Sequence, residues 1–275
     1  MKRAITAITF FDMVFVLLLS VSGSIGGVFG RIVYYLAFIV PIMLAFLFIR
    51  KNPDEDVKPR PPKIVPDVKS LGYTLPIIAP FIAAVFLISF LTSLLLNALG
   101  FSDSTDVSGH IASVMIKHAV LPAFFEEALF RFIPIMILAP YSKKNALVIS
   151  SLLFAAVHCN LFQIPYALFA SLILSSLAIA TGSVIPCIAL HFINNVTSVI
   201  FMRYSYLPNF NLIFFLTLGA LSVLSVAFIA VRRKKYKEFF AELRKDKNHV
   251  EFTPPLVAFV AIALFTGVIS LWMKL

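Results

Sequence analysis

The chain has 275 residues, of which 60% are hydrophobic and 13% are charged, and its mean hydropathy is +0.98. A soluble domain carries about 25% charged residues, so the composition excludes an ordinary soluble protein and predicts a multi-pass integral membrane protein. The net charge of +10 would suggest a nucleic-acid partner in a soluble protein. Because the basic residues cluster in short connecting segments, we instead expect membrane lipids as partners and no nucleic acid.

Nine apolar stretches approach or exceed the roughly 20 residues that a helix needs to cross a bilayer. They lie near residues 8–29, 31–50, 74–99, 110–139, 144–160, 164–181, 184–203, 210–231 and 254–273. The sequence therefore predicts an all-α polytopic transmembrane helical bundle of about eight or nine spans, within a single integral membrane domain over residues 1–275. For the first two stretches, which a Gly-rich turn separates, a re-entrant hairpin is the alternative to two full crossings.

The basic residues are concentrated on alternate connections between the predicted spans. With a cytoplasmic N-terminus, 18 of the 23 Lys and Arg residues lie in cytoplasmic segments: two at the N-terminus, six in residues 50–69, two in 143–144 and eight in 232–247. Cytoplasmic loops typically carry such an excess, so we expect the N-terminus to be cytoplasmic and a prokaryotic protein to lie in the cell (plasma) membrane. An acidic loop at 102–106 is expected on the other side. Residues 51–69, with five prolines among charges, are predicted to form an extended cytoplasmic linker.

A charged cluster interrupts the fourth apolar stretch at Glu126, Glu127 and Arg131. Glu127 and Arg131 are four residues apart on a predicted helix, which places them on one face in the favourable order of acid before base. Glu126 points about 100° away around the helix and has no partner nearby in the sequence. An unpaired carboxylate in a low-dielectric site suits a general base or acid. The alternative is that all three residues form one structural ion network.

Two prolines, Pro122 and Pro134, bracket this cluster. Each proline lacks a backbone N–H and leaves the carbonyl four residues earlier without its donor. Membrane helices tolerate such breaks where protein or trapped water satisfies the backbone. A broken helix at the cluster and an ordinary proline kink are both open.

Two further polar pairs lie in later apolar stretches, and in each pair the residues are four apart. Phe154 precedes His158, so the aromatic ring is expected to pack on the imidazole. His191 and Asn195 lie in the middle of the seventh stretch and project in one direction. They are either a donor pair directed at an oxyanion or a hydrogen-bonding pair that holds two helices together.

These three pairs form a recognisable set of motifs. Residues 126–131 match E-E-x-x-x-R, residues 154–158 match F-x-x-x-H, and residues 191–195 match H-x-x-x-N. In this order and on separate helices they resemble the CAAX protease and bacteriocin-processing (CPBP, or Abi) family, whose best-known branch is the Ras-converting CAAX endopeptidase. The resemblance covers about residues 110–203, the expected catalytic core. Phe132 departs from the glycine that many members have after the motif arginine, and a ninth span exceeds the eight of the Ras-converting branch.

The resemblance implies a glutamate-dependent intramembrane endopeptidase that needs no cofactor. It would cleave a peptide or protein substrate near the membrane, lipidated or not, of the CAAX-like or the leader and bacteriocin type. By motif position, Glu126 and His158 would activate water, His191 and Asn195 would stabilise the oxyanion, Glu127 and Arg131 would form a supporting ion pair, and Phe154 would pack near the site.

Several alternatives stay open at this point. A metal-dependent protease could use Glu126 with the two histidines as a zinc set, although H-E-x-x-H is absent and the resemblance favours metal-free chemistry. A nucleophilic Cys159 is disfavoured, because it adjoins His158 and faces elsewhere on a helix. A non-proteolytic membrane scaffold or immunity protein, and a transporter with a proton-linked Glu/His relay, are the remaining alternatives.

Overall fold

The fold comes from a computed structural model that describes residues 1–51, 58–63, 66–102 and 107–272. Apart from one isolated bridge between Lys63 and Ser183, the regular structure in these ranges is helical. The helices of fourteen or more residues are α1 (Lys2–Ile25), α2 (Gly27–Lys51), α4 (Ile78–Ala98), α8 (Lys143–Ala156), α9 (Ile164–Thr181), α10 (Ile185–Tyr204), α11 (Phe210–Val231) and α14 (Pro254–Trp272). The shorter ones are α3 (Val68–Thr74), α5 (Ile111–Met115), α6 (Leu121–Glu127), α7 (Ile133–Leu138), α12 (Arg233–Phe239) and α13 (Ala241–Lys245).

The predicted all-α membrane bundle is confirmed, but the predicted number of spans is wrong. Among the described residues, seven helices are long and apolar enough to cross a membrane: α1, α2, the continuous α3–α4 helix, α9, α10, α11 and α14. Two predicted spans, 110–139 and 144–160, are not among these seven helices. The second corresponds to α8, whose 14 residues rise only about 21 Å, less than the hydrocarbon thickness of about 30 Å. The first is divided into short segments and carries the charged cluster.

The helical run from α5 to α7 is broken twice by π-helical turns, Ile116–Val120 and Ala128–Phe132. In each case a proline follows at once, as the second residue of the next α-helix: Pro122 in α6 and Pro134 in α7. Proline cannot donate to the α-helical ladder, and a π turn is a place where that ladder is already interrupted. The two prolines therefore accompany breaks in the helix, and the second break begins directly after Glu127.

Segments far apart in the sequence meet at one end of the bundle. Lys2 Nζ, at the start of α1, lies 3.7 Å from Glu251 Oε2, shortly before α14. Lys143 Nζ, at the start of α8, forms an ion pair of 2.6 Å with Glu242 Oε2 in α13. We call this end the basic face, since the N-terminus, residues 58–63, the start of α8 and the connection from α11 to α14 all contribute to it.

The described part of the predicted linker also belongs to the basic face. The Arg60 amide donates to the Met136 carbonyl at 3.0 Å, and the Lys63 amide donates to the Gly182 carbonyl at 2.7 Å. The backbone of this part of the linker is thus bonded to the ends of α7 and α9. Residues 52–57, 64 and 65 lie outside the described residues.

The other end of the bundle, which we call the opposite face, gathers the remaining connections. The Arg203 guanidinium, near the end of α10, donates to the Val107 and Gly109 carbonyls at 2.8 and 3.0 Å. Leu96 near the end of α4 and Leu271 near the end of α14 share a small apolar cluster there. Thus α4 and α10 run towards the opposite face, whereas α9 and α11 run towards the basic face. The predicted acidic residues of the 102–106 loop lie outside the described residues.

Candidate active site

The buried centre of the site is an ion pair between two neighbouring turns. Glu127 and Arg131 are both fully buried, and Arg131 Nη1 lies 3.0 Å from Glu127 Oε1. Arg131 Nη2 donates to Ser171 Oγ on α9 at 2.8 Å, and the guanidinium carbon lies 4.1 Å from the centre of the Phe154 ring. A buried charge is costly unless it is paired and hydrogen-bonded. Arg131 is paired with a carboxylate and bonded to a hydroxyl through Nη2, and an aromatic face covers it, while its Nε and Nη1 have no hydrogen-bond partner of their own.

The same Glu127 oxygen also holds a histidine. His191 Nδ1 lies 2.7 Å from Glu127 Oε1, so α6 is joined to α10 through one carboxylate. Since a carboxylate accepts, Nδ1 donates, and this fixes which way the imidazole faces. The other ring nitrogen, Nε2, lies 3.9 Å from Glu126 Oε2, which is too long for a direct hydrogen bond.

The two adjacent glutamates have different surroundings. The Glu127 side chain is 0% exposed and its Oε2 has no hydrogen-bond partner, whereas the Glu126 side chain is 20% exposed. Glu126 lines a cavity of about 1030 Å³ enclosed mainly by α4, α9, α10 and α11. The Glu127 carboxylate therefore lies inside the protein, whereas the Glu126 carboxylate lies on the cavity wall.

His158 lies just beyond α8, in the turn that leads to α9, and lines the same cavity. Its Nδ1 is 2.8 Å from the Phe154 carbonyl oxygen. A carbonyl can only accept, so Nδ1 carries the proton and Nε2 keeps its lone pair for use as a base. The Phe154 ring meets His158 edge-on at 5.1 Å and His191 at 5.9 Å between ring centres. One phenylalanine thus packs against both imidazoles.

Asn195 lines the cavity together with its neighbour Asn194. Asn194 Nδ2 donates to Asn195 Oδ1 at 3.3 Å. Because Asn195 Oδ1 already accepts this hydrogen bond, the Nδ2 of Asn195 remains as a donor to another group. Asn194 is 8% exposed, and its own Oδ1 is buried without a partner.

The structure therefore places all the residues predicted from the motifs in one region. Glu126, Phe154, His158, His191 and Asn195 line the cavity, and Glu127 and Arg131 lie behind this wall.

Sequence reasoning missed three residues of the same region. Ser171 gives no signal in the sequence, since serines recur along α9. Asn194 could have been noticed beside the motif asparagine, and His118, which also lines the cavity, could have been noticed as a histidine in an apolar stretch.

A three-ligand metal cluster is not found in the part of the chain that the structure describes. There, no group of three or more His, Cys, Asp and Glu side chains is arranged to hold a metal ion. The zinc set considered from the sequence, Glu126 with His158 and His191, is accordingly not assembled as such a cluster. Cys159 and Cys187 are free thiols, and Cys187 is buried with its Sγ 3.0 Å from the Leu174 carbonyl oxygen.

Comparison with known proteins gives one match. The family model described as Rce1-like, type II CAAX prenyl endopeptidase Rce1-like, matches residues 108–197, a stretch that contains all three motifs. No curated protein and no solved structure matches the chain. The match confirms the resemblance seen in the motifs. The motif-bearing region of this multi-pass membrane protein is therefore similar to the Rce1-like CAAX protease family.

Proposed function

We propose that the protein is an intramembrane endopeptidase that hydrolyses peptide bonds with water activated by Glu126 and His158. The observation that carries the proposal is the separation of the two adjacent glutamates. Glu127 is occupied by Arg131 and His191, while Glu126 is on the wall of a cavity large enough for a peptide segment. A carboxylate that has no ion-pair partner of its own at hydrogen-bonding distance is available for proton transfer.

The first step is the attack of water on the scissile carbonyl. Glu126, with His158 Nε2 as the second acceptor, takes a proton from the water as its oxygen bonds to the carbonyl carbon. The carbon–oxygen double bond becomes a single bond to an oxyanion. Glu126 then returns the proton to the amide nitrogen as the carbon–nitrogen bond breaks, which gives one new carboxyl group and one new amine.

The oxyanion is the second requirement, and His191 and Asn195 are proposed to supply its donors. Glu127 accepts from His191 Nδ1 and so leaves His191 Nε2 on the side of Glu126 and the cavity, where in the cationic imidazole it is a donor for the oxyanion. Asn195 contributes its Nδ2, because its oxygen already accepts from Asn194. Removing one oxyanion donor typically lowers the rate about 10²- to 10³-fold, so Asn195→Ala should retain weak activity.

The substrate in this proposal is a peptide or protein at the membrane, of the CAAX-like or the leader and bacteriocin type, and lipidation is not required by the chemistry. The reaction needs no metal or other cofactor. In a prokaryote the protein would act in the plasma membrane.

The decisive experiment compares two glutamate variants that undergo the same chemical change. Purified parent protein, Glu126→Gln and Glu242→Gln are incubated with a farnesylated peptide that ends in a CAAX sequence and with an unprenylated leader-type membrane peptide. C-terminal proteomics of cells that express each form identifies other products. Cleavage by the parent and by Glu242→Gln, with none by Glu126→Gln, is expected. Cleavage by Glu126→Gln at the parental rate would contradict the assignment.

A further inference from the structure

A strongly basic segment at the basic face takes no part in the proposed hydrolysis. Between residues 232 and 237, every residue except Tyr236 is a lysine or an arginine, and these basic side chains are all exposed. The ion pairs at this face use other cations, Lys2, Lys143 and Lys245. None of the basic residues in 232–237 is paired with a carboxylate of the described residues, so their charge is available to a partner outside the chain.

The helix that carries this segment, α12, is held against α3 by its aromatic side. Tyr236 is buried, its hydroxyl donates to the Tyr73 carbonyl at 3.2 Å, and the two rings meet edge-on at 5.3 Å between centres. The Phe239 ring stacks on the Tyr73 ring at 4.8 Å. Since Tyr236 and Phe239 are three residues apart, they share one side of α12. These contacts fix which side of α12 faces away from the protein.

The basic residues of α12 lie on that outer side. With 3.6 residues per turn, Arg233, Lys234 and Lys237 point about 120–160° away from Phe239 around the helix. All three side chains are exposed. We call these three residues the α12 cluster. It presents one guanidinium and two ammonium groups on a helix side whose position the aromatic contacts determine.

The position of α11 sets the depth of the α12 cluster in the membrane. The 22 residues of α11 rise about 33 Å, close to the hydrocarbon thickness of about 30 Å. No residue of α11, which the structure describes throughout, is buried in the protein. Arg232, directly after α11, has its guanidinium carbon 4.5 Å from the centre of the Phe228 ring. A basic side chain that covers an apolar ring in this way is typical of the hydrocarbon boundary, so the α12 cluster lies at headgroup level.

We infer that the α12 cluster binds the phosphate headgroups of anionic phospholipids in the leaflet at the basic face. An arginine offers a phosphate two parallel hydrogen bonds, and a lysine offers a point charge. Basic residues that directly follow a membrane span attract anionic lipids in proportion to their number. The site is separate from the proposed hydrolysis, because no residue of the cluster lines the cavity.

The test compares two variants that lose the same three charges. The cluster variant combines Arg233→Gln, Lys234→Gln and Lys237→Gln. The control variant combines exposed residues of the basic face outside the cluster: Lys58→Gln, Arg244→Gln and Lys247→Gln. Each purified protein is titrated in detergent with dioleoyl phosphatidylglycerol or dioleoyl phosphatidylcholine, and the affinity is taken from the lipid concentration that gives half of the maximal rise in Tm.

The parent and the control variant are expected to bind phosphatidylglycerol more tightly than phosphatidylcholine. The cluster variant should lose about 10²-fold in affinity for phosphatidylglycerol, at about fivefold for each charge removed, with an unchanged Tm in the absence of lipid. An equal loss in both variants would show a diffuse effect of surface charge and would overturn the site. No preference of the parent for phosphatidylglycerol, or an unchanged preference in the cluster variant, would also overturn it.

Two further measurements use the parent protein. Its preference for phosphatidylglycerol should shrink as NaCl is raised from about 0.05 to 0.5 M, because salt screens exposed charges, and a preference that does not depend on salt would contradict the inference. Inorganic phosphate and a single-stranded oligonucleotide are tested as competitors. Displacement of phosphatidylglycerol by either one at the same concentration as the lipid would assign the cluster to a soluble anion or to a nucleic acid instead.

Discussion

Glu127 Oε1 lies 2.7 Å from His191 Nδ1 and, on its other side, 3.0 Å from Arg131 Nη1. One oxygen atom thus connects the helix that carries the acidic motif to the helix that carries the last motif. Its neighbour, Glu126, has no contact of hydrogen-bonding length with His191 and lies on the cavity wall. The two glutamates should consequently respond differently to the same substitution.

Replacing Glu127 with glutamine is expected to reduce stability. The neutral side chain leaves Arg131 as a buried charge without a counter-charge, which costs about 3–5 kcal/mol. Thermal unfolding in detergent should show a clearly lower Tm for Glu127→Gln and a Tm close to that of the parent for Glu126→Gln, which alters a partly exposed group. If both variants lowered the Tm equally, the separation of the two carboxylates would be refuted.

A second prediction concerns the hydrogen bond between Arg131 and Ser171 on α9. Ser171→Ala removes the hydroxyl that accepts from Arg131 Nη2 and should destabilise the protein by about 1.5–3 kcal/mol, the contribution of a hydrogen bond to a charged group. Ser176→Ala is the matched control on the same helix, because the Ser176 hydroxyl donates only to the Leu172 carbonyl within its own helix. Equal Tm values for the two variants would contradict a specific role for Ser171.

Local spacing was enough to predict part of this site. Glu127 and Arg131 are four residues apart, and such a pair meets on any helix. The proximity of His191 to Glu127 could not be derived in this way, because it depends on how α6 and α10 pack. The same holds for Ser171, whose partner lies 40 residues away along the chain.

The number of spans could not be predicted from hydropathy alone for a related reason. Hydropathy identifies apolar stretches, but it does not measure where a helix ends. The stretch at 144–160 is apolar enough, yet α8 stops at Ala156 and the chain turns through His158. Cys159 follows with a φ of 47°, a left-handed conformation that ends helices. This turn, which places His158 beside Phe154, also shortens the helix.

The basic face should depend on pH through Glu242. Hydrogen bonds from Lys143 and Lys245 lower the pKa of Glu242 from 4.5 to about 2. A pKa lowered by folding gives stability that is fully present above the unfolded value and is lost as the pH falls from about 4.5 to about 2. The Tm of the parent should therefore exceed that of Glu242→Gln at pH 7, and the two should converge as the pH approaches 2. A difference that stays constant over this range would contradict the role of these ion pairs.

Metal chelation should leave the proposed activity unchanged. The hydrolysis is assigned to Glu126 and His158 without a metal, and no three ligand side chains are clustered for one in the described ranges. The rate of cleavage of the probe peptides is measured before and after treatment with phenanthroline. Inhibition that is reversed by added zinc would instead support the metal-dependent alternative.

Asn194 should act on catalysis through its neighbour. Its Nδ2 occupies Asn195 Oδ1, which leaves the Nδ2 of Asn195 as the group proposed to donate to the oxyanion. Asn194→Leu keeps the shape of the side chain and removes this bond, and it should lower kcat about two- to tenfold with little change in KM. Asn248→Leu at the basic face is the matched control.

The double variant separates orientation from direct binding. If Asn194 acts only by orienting Asn195, then Asn194→Leu should cause no further loss of kcat once Asn195→Ala is present, because the group that it orients is gone. Full additivity of the two effects on kcat, or a rise in KM for Asn194→Leu alone, would show that Asn194 acts independently of Asn195. If the two effects are not additive, the proposed oxyanion site depends on the orientation of the Asn195 carboxamide.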